Sequence, residues 1–257
     1  MINVLEVQLK QETTLADSEL SSSRQLQLAE VYYQLGVIYQ QQKQLEIASE
    51  YYQKALLLAP NDADARNNLG SIWFEQRQLE AAFNCYQQVL EMNPNSASIY
   101  NNLGSVLYAQ NQVAAALEYY HQALRLQPDH ADVYVNLSLI SADDKQLEVA
   151  LEYCDRAIRL RPELANAHFN RALILLKLGR FQEGWPEYEW REQAGVISFH
   201  SPHPQWDGTP LASRRLLVLW EQGFGDMIQF VRYLPFLNGG TVILLCRPAL
   251  ATLFQGV

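Results

Sequence analysis

Basic residues are in short supply in this chain. Lys and Arg number 19 against 28 Asp and Glu, a formal net charge of −9 over 257 residues. Nucleic-acid binding needs clustered cations to displace phosphate counterions, so nucleic acid is excluded as an expected partner. The deficit is local. Beyond residue 191, Glu192, Asp207, Glu221 and Asp226 balance Arg214, Arg215, Arg232 and Arg247, so the acidity belongs to residues 1–191. That acidity reads either as a solvated outer face or as a preference for basic partners. Cysteine is also scarce. Cys85, Cys154 and Cys246 lie far apart with no CxxC or Cys/His spacing, which excludes a disulfide framework and predicts buried free thiols in a reducing compartment. His200 and His203 have no carboxylate or thiol at ligand spacing, so no metal site is expected. No stretch approaches the roughly 18 apolar residues of a membrane span. The start, Met1-Ile2-Asn3-Val4, lacks the basic and apolar regions of a secretion signal. The expected location is cytoplasmic. With 12 Gly and 10 Pro the chain is not of low complexity.

What is present is a period of 34 residues. Leu35-Gly36, Leu69-Gly70 and Leu103-Gly104 are in register, Leu137-Ser138 continues the series, and Arg171-Ala172 diverges from it. Behind each pair, at fixed offsets, come Ala48, Ala82, Ala116 and Ala150, then Tyr52, Tyr86, Tyr120 and Cys154, then Pro60, Pro94, Pro128 and Pro162. Each period predicts two antiparallel helices, A and B. The Gly and Ala positions are expected where backbones approach closely, and the aromatics where one hairpin meets the next. Each Pro is expected to end helix B, and Asn61-Asp62, Asn95-Ser96 and Asp129 to cap the next helix A. One repeat cannot bury its own apolar faces, so stability has to come from stacking.

Together these positions resemble the tetratricopeptide repeat, with its aromatic, Leu-Gly, aromatic, Ala, aromatic and closing Pro. The resemblance implies a mainly α fold, a right-handed superhelix of helix pairs with A helices lining its concave side. Five units are expected, at 29–62, 63–96, 97–130, 131–164 and a divergent 165–191. Residues 1–28 are expected to form a polar N-terminal cap that leads into a helix covering the first repeat. In the last unit Arg171 replaces the Leu, Gly184 the Ala, and Trp185, Tyr188 and Trp190 suggest a terminal unit that either docks onto something or simply caps the array.

The sixth position of each unit reads Gln34, Asn68, Asn102, Asn136 and Asn170. The period carries these side chains to equivalent places on successive A helices. The row resembles the asparagine ladder of O-GlcNAc transferase, where such residues hold the backbone of an extended polypeptide. A carboxamide offers an acceptor and two donors, which match a peptide unit whatever its side chain. Neighbours such as Asn67, Ser71, Asn101, Ser105, Tyr108 and Phe169 would tune the choice of sequence. The alternative is structural: an Asn here satisfies a neighbouring polar group.

Residues 192–213, broken by Pro202, Pro204, Gly208 and Pro210, read as a linker. Then the pattern changes. Leu216 to Trp220 and Thr241 to Cys246 are short apolar runs of the kind that form buried parallel strands. Met227 to Leu237 reads as a helix ended by Gly239-Gly240, and Pro248 opens another, a Rossmann-like βαβα segment over 214–257. Gly223 and Gly225 lie between strand and helix, where backbone can approach a sugar or phosphate. With Trp185 to Arg191 and Gln205-Trp206-Asp207-Gly208, the motif Glu221-Gln222-Gly223-Phe224-Gly225-Asp226 resembles bacterial proteins in which tetratricopeptide repeats precede a heptosyltransferase-type GT-B domain. That resemblance implies Asp226 as a candidate general base and a nucleotide-sugar donor for the full-length family member. The second, donor-binding half of a GT-B enzyme is absent before Val257. The chain is therefore expected to be a fragment, inactive on its own and with no cofactor, that recognises protein acceptors in extended conformation. The alternative is a non-enzymatic scaffold.

Overall fold

The computed structural model describes residues 22–197, 203–204, 206–220 and 223–255. Residues 1–21 of the cap expected over 1–28, His200, Pro202, Gln205 and the Glu221-Gln222 half of the turn motif lie outside them. The chain divides into two compact units, Met1–Trp190 and Arg191–Val257.

The first unit is built of antiparallel helix pairs. They are α1 (Ser22–Gln41) with α2 (Leu45–Leu58), α3 (Ala63–Glu75) with α4 (Leu79–Met92), and α5 (Ala97–Ala109) with α6 (Val113–Leu126). The series continues with α7 (Ala131–Asp143) and α8 (Leu147–Leu160), then α9 (Ala165–Lys177) and α10 (Phe181–Tyr188). Among the described residues no separate capping helix precedes the first pair. Residues 22–28 instead extend helix A of repeat one, because nothing between Ser22 and Gln41 interrupts it.

Proline sets the B-helix ends. Ala59, Asn93, Gln127 and Arg161 each precede a Pro and leave the helical region, with φ between −127° and −143° and ψ between 77° and 91°. The pyrrolidine ring disfavours helical backbone in the residue before it, so the stop recurs every 34 residues. The A-helix ends have a device that the sequence reading missed. Lys43, Arg77, Asn111, Lys145 and Gly179 all have positive φ, from 59° to 75°. The next amide turns back to close a Schellman motif: Gln44 to Tyr39, Gln78 to Trp73, Gln112 to Leu107, Gln146 to Ser141 and Arg180 to Leu175.

Two of the expected caps form. Asp62 accepts from the Ala65 amide at 2.9 Å and Ser96 from that of Ile99 at 3.4 Å. Asp129 does not cap: the period puts the N-cap at His130 and then Leu164, whose side chains make no capping bond.

Packing at the glycines also corrects expectation. A Cβ on Gly36, Gly70 or Gly104 would lie 2.6, 2.8 or 2.7 Å from a ring carbon of Tyr52, Tyr86 or Tyr120. What approaches each glycine is thus a tyrosine ring from its own repeat rather than another backbone. The same rings reach the next repeat, Tyr52 packing in one cluster with Ala65, Leu69 and Ile72 and Tyr86 with Ile99, Leu103 and Val106. In repeat four Ser138 takes the glycine's place and the ring shrinks to Cys154, both fully buried.

Repeat five keeps Ala172, Ile174 and Leu175 buried but sets an ionic cluster at the Leu position. Arg171 Nε donates to Asp155 at 2.7 Å and its Nη1 to Glu187 at 3.1 Å. His168 stacks on Trp190 with centroids 4.1 Å apart, and its Nδ1 lies 2.6 Å from Glu187 Oε2. Its Nε2 donates to the Pro162 carbonyl at 2.7 Å. That last bond belongs to a series, since Arg66 and Tyr134, three repeats and one repeat earlier, donate to the carbonyls of Pro60 and Pro128.

In the second unit β1 (Arg215–Leu219) pairs in parallel with β2 (Thr241–Leu245), in register from Arg215–Thr241 to Leu219–Leu245, with α11 (Phe224–Val231) between them in sequence. Gly240 is sterically required, since a Cβ there would stand 2.4 Å from the Arg214 carbonyl oxygen. Three expectations are corrected. The strands are not buried: Leu217, Ile243 and Leu245 stay between 43% and 49% exposed, because two strands and one short helix cannot cover a sheet. The first helix ends at Val231 rather than Leu237, as Pro235 admits only a short 3-10 turn at Leu234–Phe236. Pro248 opens another such turn, Pro248–Leu250, in place of a helix, so the described segment is βαβ.

Candidate functional site

Helical spacing decides which side chains share a surface. Residues at i, i+4, i+7 and i+11 of an α-helix lie along one stripe. On α3 the stripe through the sixth position is Asp64, Asn68, Ser71 and Glu75. On α5 it is Ser98, Asn102, Ser105 and Ala109, on α7 Asp132, Asn136, Leu139 and Asp143, and on α9 Asn166, Asn170, Leu173 and Lys177. Asn68, Asn102, Asn136 and Asn170 are all half-buried.

Each of these amides is tied to what comes before it in the stack. Asn68 Nδ2 donates to the Tyr52 hydroxyl at 3.3 Å, and Asn102 Nδ2 to Asn67 Oδ1 at 3.2 Å. Asn136 Nδ2 donates twice, to Asn101 Oδ1 at 2.8 Å and Ser105 Oγ at 3.3 Å, and Asn170 Nδ2 reaches Ser138 Oγ at 3.4 Å. Tyr120, in turn, donates to Ser105 at 3.2 Å. The structural role that the sequence left open is therefore present: these residues stitch one repeat to the next. It uses only the NH₂ end. No described residue donates to the Oδ1 of Asn68, Asn102, Asn136 or Asn170. A carboxamide held by its nitrogen presents its oxygen in a fixed direction, which lowers the ordering cost of a hydrogen bond to a ligand.

The series begins only at Asn68, since Gln34 is exposed and donates to Glu30 of its own helix. Asn67 and Asn101 act as acceptors within the ladder rather than as free lining groups. Partner and partner are 35 residues apart, one more than the period, and a pattern search at position five would have found them. Tyr108 donates to Asp143, which links α5 to α7 beside the stripe. Burial pushes the Tyr52 and Tyr120 phenols up to about 12, so both remain neutral hydrogen-bonding groups at neutral pH.

A hollow of about 410 Å³ lies elsewhere, lined by Tyr134, Glu152, Tyr153, Asp155, Arg156 and Arg159. Tyr134 and Asn136 are two residues apart and so lie on opposite faces of α7, which keeps this hollow off the Asn stripe.

In the second unit Gly223 is the N-cap of α11 and Asp226 is exposed in its first turn. A Cβ on Gly223 would meet only Asp226 Oδ2, at 3.9 Å, and one on Gly225 would meet nothing. Among the described residues, packing demands neither glycine. Among the described residues no group of His, Cys, Asp and Glu could hold a metal ion, and no helix is long and apolar enough to cross a membrane.

Comparison with known proteins agrees with the geometry of the first unit. Tetratricopeptide repeat profiles match residues 29–62, 70–111 and 101–165. FlbA of Caulobacter vibrioides is 42% identical over 65 residues, which is 24% of this chain and 11% of FlbA. The structure of PilF from Pseudomonas aeruginosa superposes with a TM-score of 0.54 at 28% identity, covering 65% of this chain and 76% of that one. A MamA structure from Desulfovibrio magneticus, residue 41 to its end, gives 0.50 at 21% identity, covering 65% and 95%. The repeat register, the Gly–Tyr closures and these matches lead to one assignment: the chain is a tetratricopeptide repeat protein.

Proposed function

We propose that the repeat array is a protein-binding scaffold that holds an extended polypeptide by its backbone along Asn68, Asn102, Asn136 and Asn170. The observation that supports it is the one-sided use of these carboxamides, nitrogen tied to the stack and oxygen unclaimed. An oxygen on each of repeats two to five accepts a peptide N–H, and the second proton on Asn102 and Asn170 remains for a peptide carbonyl. Affinity then comes from main-chain bonds and tolerates many sequences.

The test is selection of a displayed peptide library on the full chain, followed by anisotropy titration of the enriched peptides on Asn102→Ala/Asn136→Ala. The reading expects binders whose affinity falls at least tenfold in the double variant. Because both residues also stitch repeats, the variant should lose about 1–2 kcal/mol of stability and remain folded. Affinity unchanged in a folded double variant overturns the reading, as does a selection that yields no binder.

A second reading is that the array presents protein acceptors to a sugar-transferring GT-B domain opening at residue 214. It is favoured by the parallel β1–α11–β2 crossover with Asp226 exposed in the first turn of α11, where a base could meet an acceptor hydroxyl. The test is the coding sequence that follows residue 257. Further strand–helix units with a nucleotide-sugar site support this reading, and a stop codon there returns the chain to a non-enzymatic scaffold.

A further inference from the structure

The stripe that carries the asparagines changes character along the stack. On α3 both flanks of Asn68 are acidic: Asp64 and Glu75 are exposed, and neither forms an ion pair with a described residue. In repeat one the corresponding stripe opens with the exposed Glu30. On α5 the stripe is small and uncharged. On α7 its acids are engaged, Asp132 by Arg161 and Asp143 by the Tyr108 hydroxyl. There the seventh-residue step brings Leu139, and on α9 Leu173, in the place taken by Ser71 and Ser105 upstream. Leu139 and Leu173 are each 38% exposed, and they are the large hydrophobics left exposed on helices A of repeats two to five among the described residues. The last residue of the α9 stripe is Lys177.

Resting on the peptide-binding reading, we infer that the ligand is bipartite: an extended segment with Lys or Arg over repeats one and two, and two aliphatic or aromatic side chains over repeats four and five. Charge complementarity selects the first half. Free carboxylates beside half-buried carboxamides attract a cationic side chain and repel an acidic one. Contact with apolar surface selects the second half, since two exposed leucines one repeat apart gain only from an apolar neighbour. Geometry fixes the spacing. Packed helices lie about 8–10 Å apart and an extended chain rises about 3.3 Å per residue, so one repeat takes up roughly three residues. The apolar pair is therefore about three residues apart, and the basic side chain about six residues from the nearer of the two.

The experiment uses the full chain and synthetic ten-residue peptides with one Lys and two Leu at these spacings, made in both chain directions. Control peptides carry Glu for Lys or Ser for Leu. The better-oriented peptide should bind at least tenfold more tightly than its Glu counterpart at low salt, and the advantage should shrink at 0.5 M salt. Asp64→Asn/Glu75→Gln should erase the preference for Lys over Glu while leaving that for Leu over Ser. Leu139→Ser/Leu173→Ser should do the reverse. Equal or tighter binding of the Glu peptide, or a Leu preference that survives Leu139→Ser/Leu173→Ser, overturns the inference. If library-selected peptides bind and lose affinity in Asn102→Ala/Asn136→Ala yet show neither preference, this inference fails and the backbone ladder stands. If no peptide of either kind binds, both fail.

Discussion

Repeats one to three and repeats four and five solve the same packing problem with different chemistry. The first three press a tyrosine ring onto a bare glycine, with a hypothetical Cβ 2.6–2.8 Å from the ring. Repeat four enlarges the glycine to Ser138 and shrinks the ring to Cys154. Repeat five has Ala172 and Tyr188 at those positions and builds its contacts from Arg171, Asp155, Glu187, His168 and Trp190. The lesson is that the two facing positions recur in every repeat, while both the size and the chemistry of the pair drift along the array. The sharpest way to break the first solution is Gly104→Leu. Tyr120 is 1% exposed and has no room to retreat, so the substitution is expected to cost about 3 kcal/mol, read as a lower urea midpoint. Ala172→Leu in repeat five should cost clearly less, and an equal loss at both sites would erase the distinction.

If Ser138 and Cys154 face each other as Gly104 and Tyr120 do, repeat four can be converted to the upstream solution. Cys154→Tyr alone drives a ring into Ser138 and should destabilise by about 2 kcal/mol. Adding Ser138→Gly should recover most of that loss, a coupling of about 1–2 kcal/mol in a double-mutant cycle. Additive losses would show that the two positions do not see each other.

Much of the array was legible because its determinants are local and periodic. Pro60 and its successors end helices through the backbone of one preceding residue, and Asp62 and Ser96 cap through the next turn. The rest depends on partners in another helix or another repeat. That Asn102 would spend its amide on Asn67 follows from the pitch of the stack, and that the rings of Tyr52, Tyr86 and Tyr120 would meet glycines of their own repeats follows from how each hairpin closes, rather than from any single segment. The error at Asp129 is instructive: residue type suggested a cap, but register put His130 there. In the second unit the strands were legible as apolar runs, whereas their exposure was not, because burial depends on what covers a strand and not on the strand itself.

A gentler probe is alkaline pH. Burial raises the phenols of Tyr52 and Tyr120 to about 12 and the Cys154 thiol to about 11, from ordinary values near 10 and 9. In each case the fold favours the protonated form, so the unfolded chain loses its protons first and stability falls as pH rises. The contribution is complete below about pH 9. Urea midpoints should hold level to that point, decline as the thiol enters its window, and fall more steeply above pH 10 as the phenols follow. A midpoint that rose with pH above 9 would reverse the sign of this argument.

The smallest effect lies where repeat five is the better adapted. The turn after each A helix needs one residue at positive φ, and only the fifth repeat places glycine there, Gly179 at 75°, against Lys43, Arg77, Asn111 and Lys145 at 59–63°. A left-handed backbone costs a side-chain-bearing residue about 1–2 kcal/mol, and Asn tolerates it better than Arg or Lys. Arg77→Gly removes that strain but widens the unfolded ensemble, which returns part of the gain. The expected net change is a stabilisation of about 0.5 kcal/mol, seen as a small rise in melting temperature. Asn111→Gly should give less, because Asn111 already sits comfortably in that region. Should Arg77→Gly destabilise instead, the Arg77 side chain must contribute more to the hairpin than its exposed position suggests.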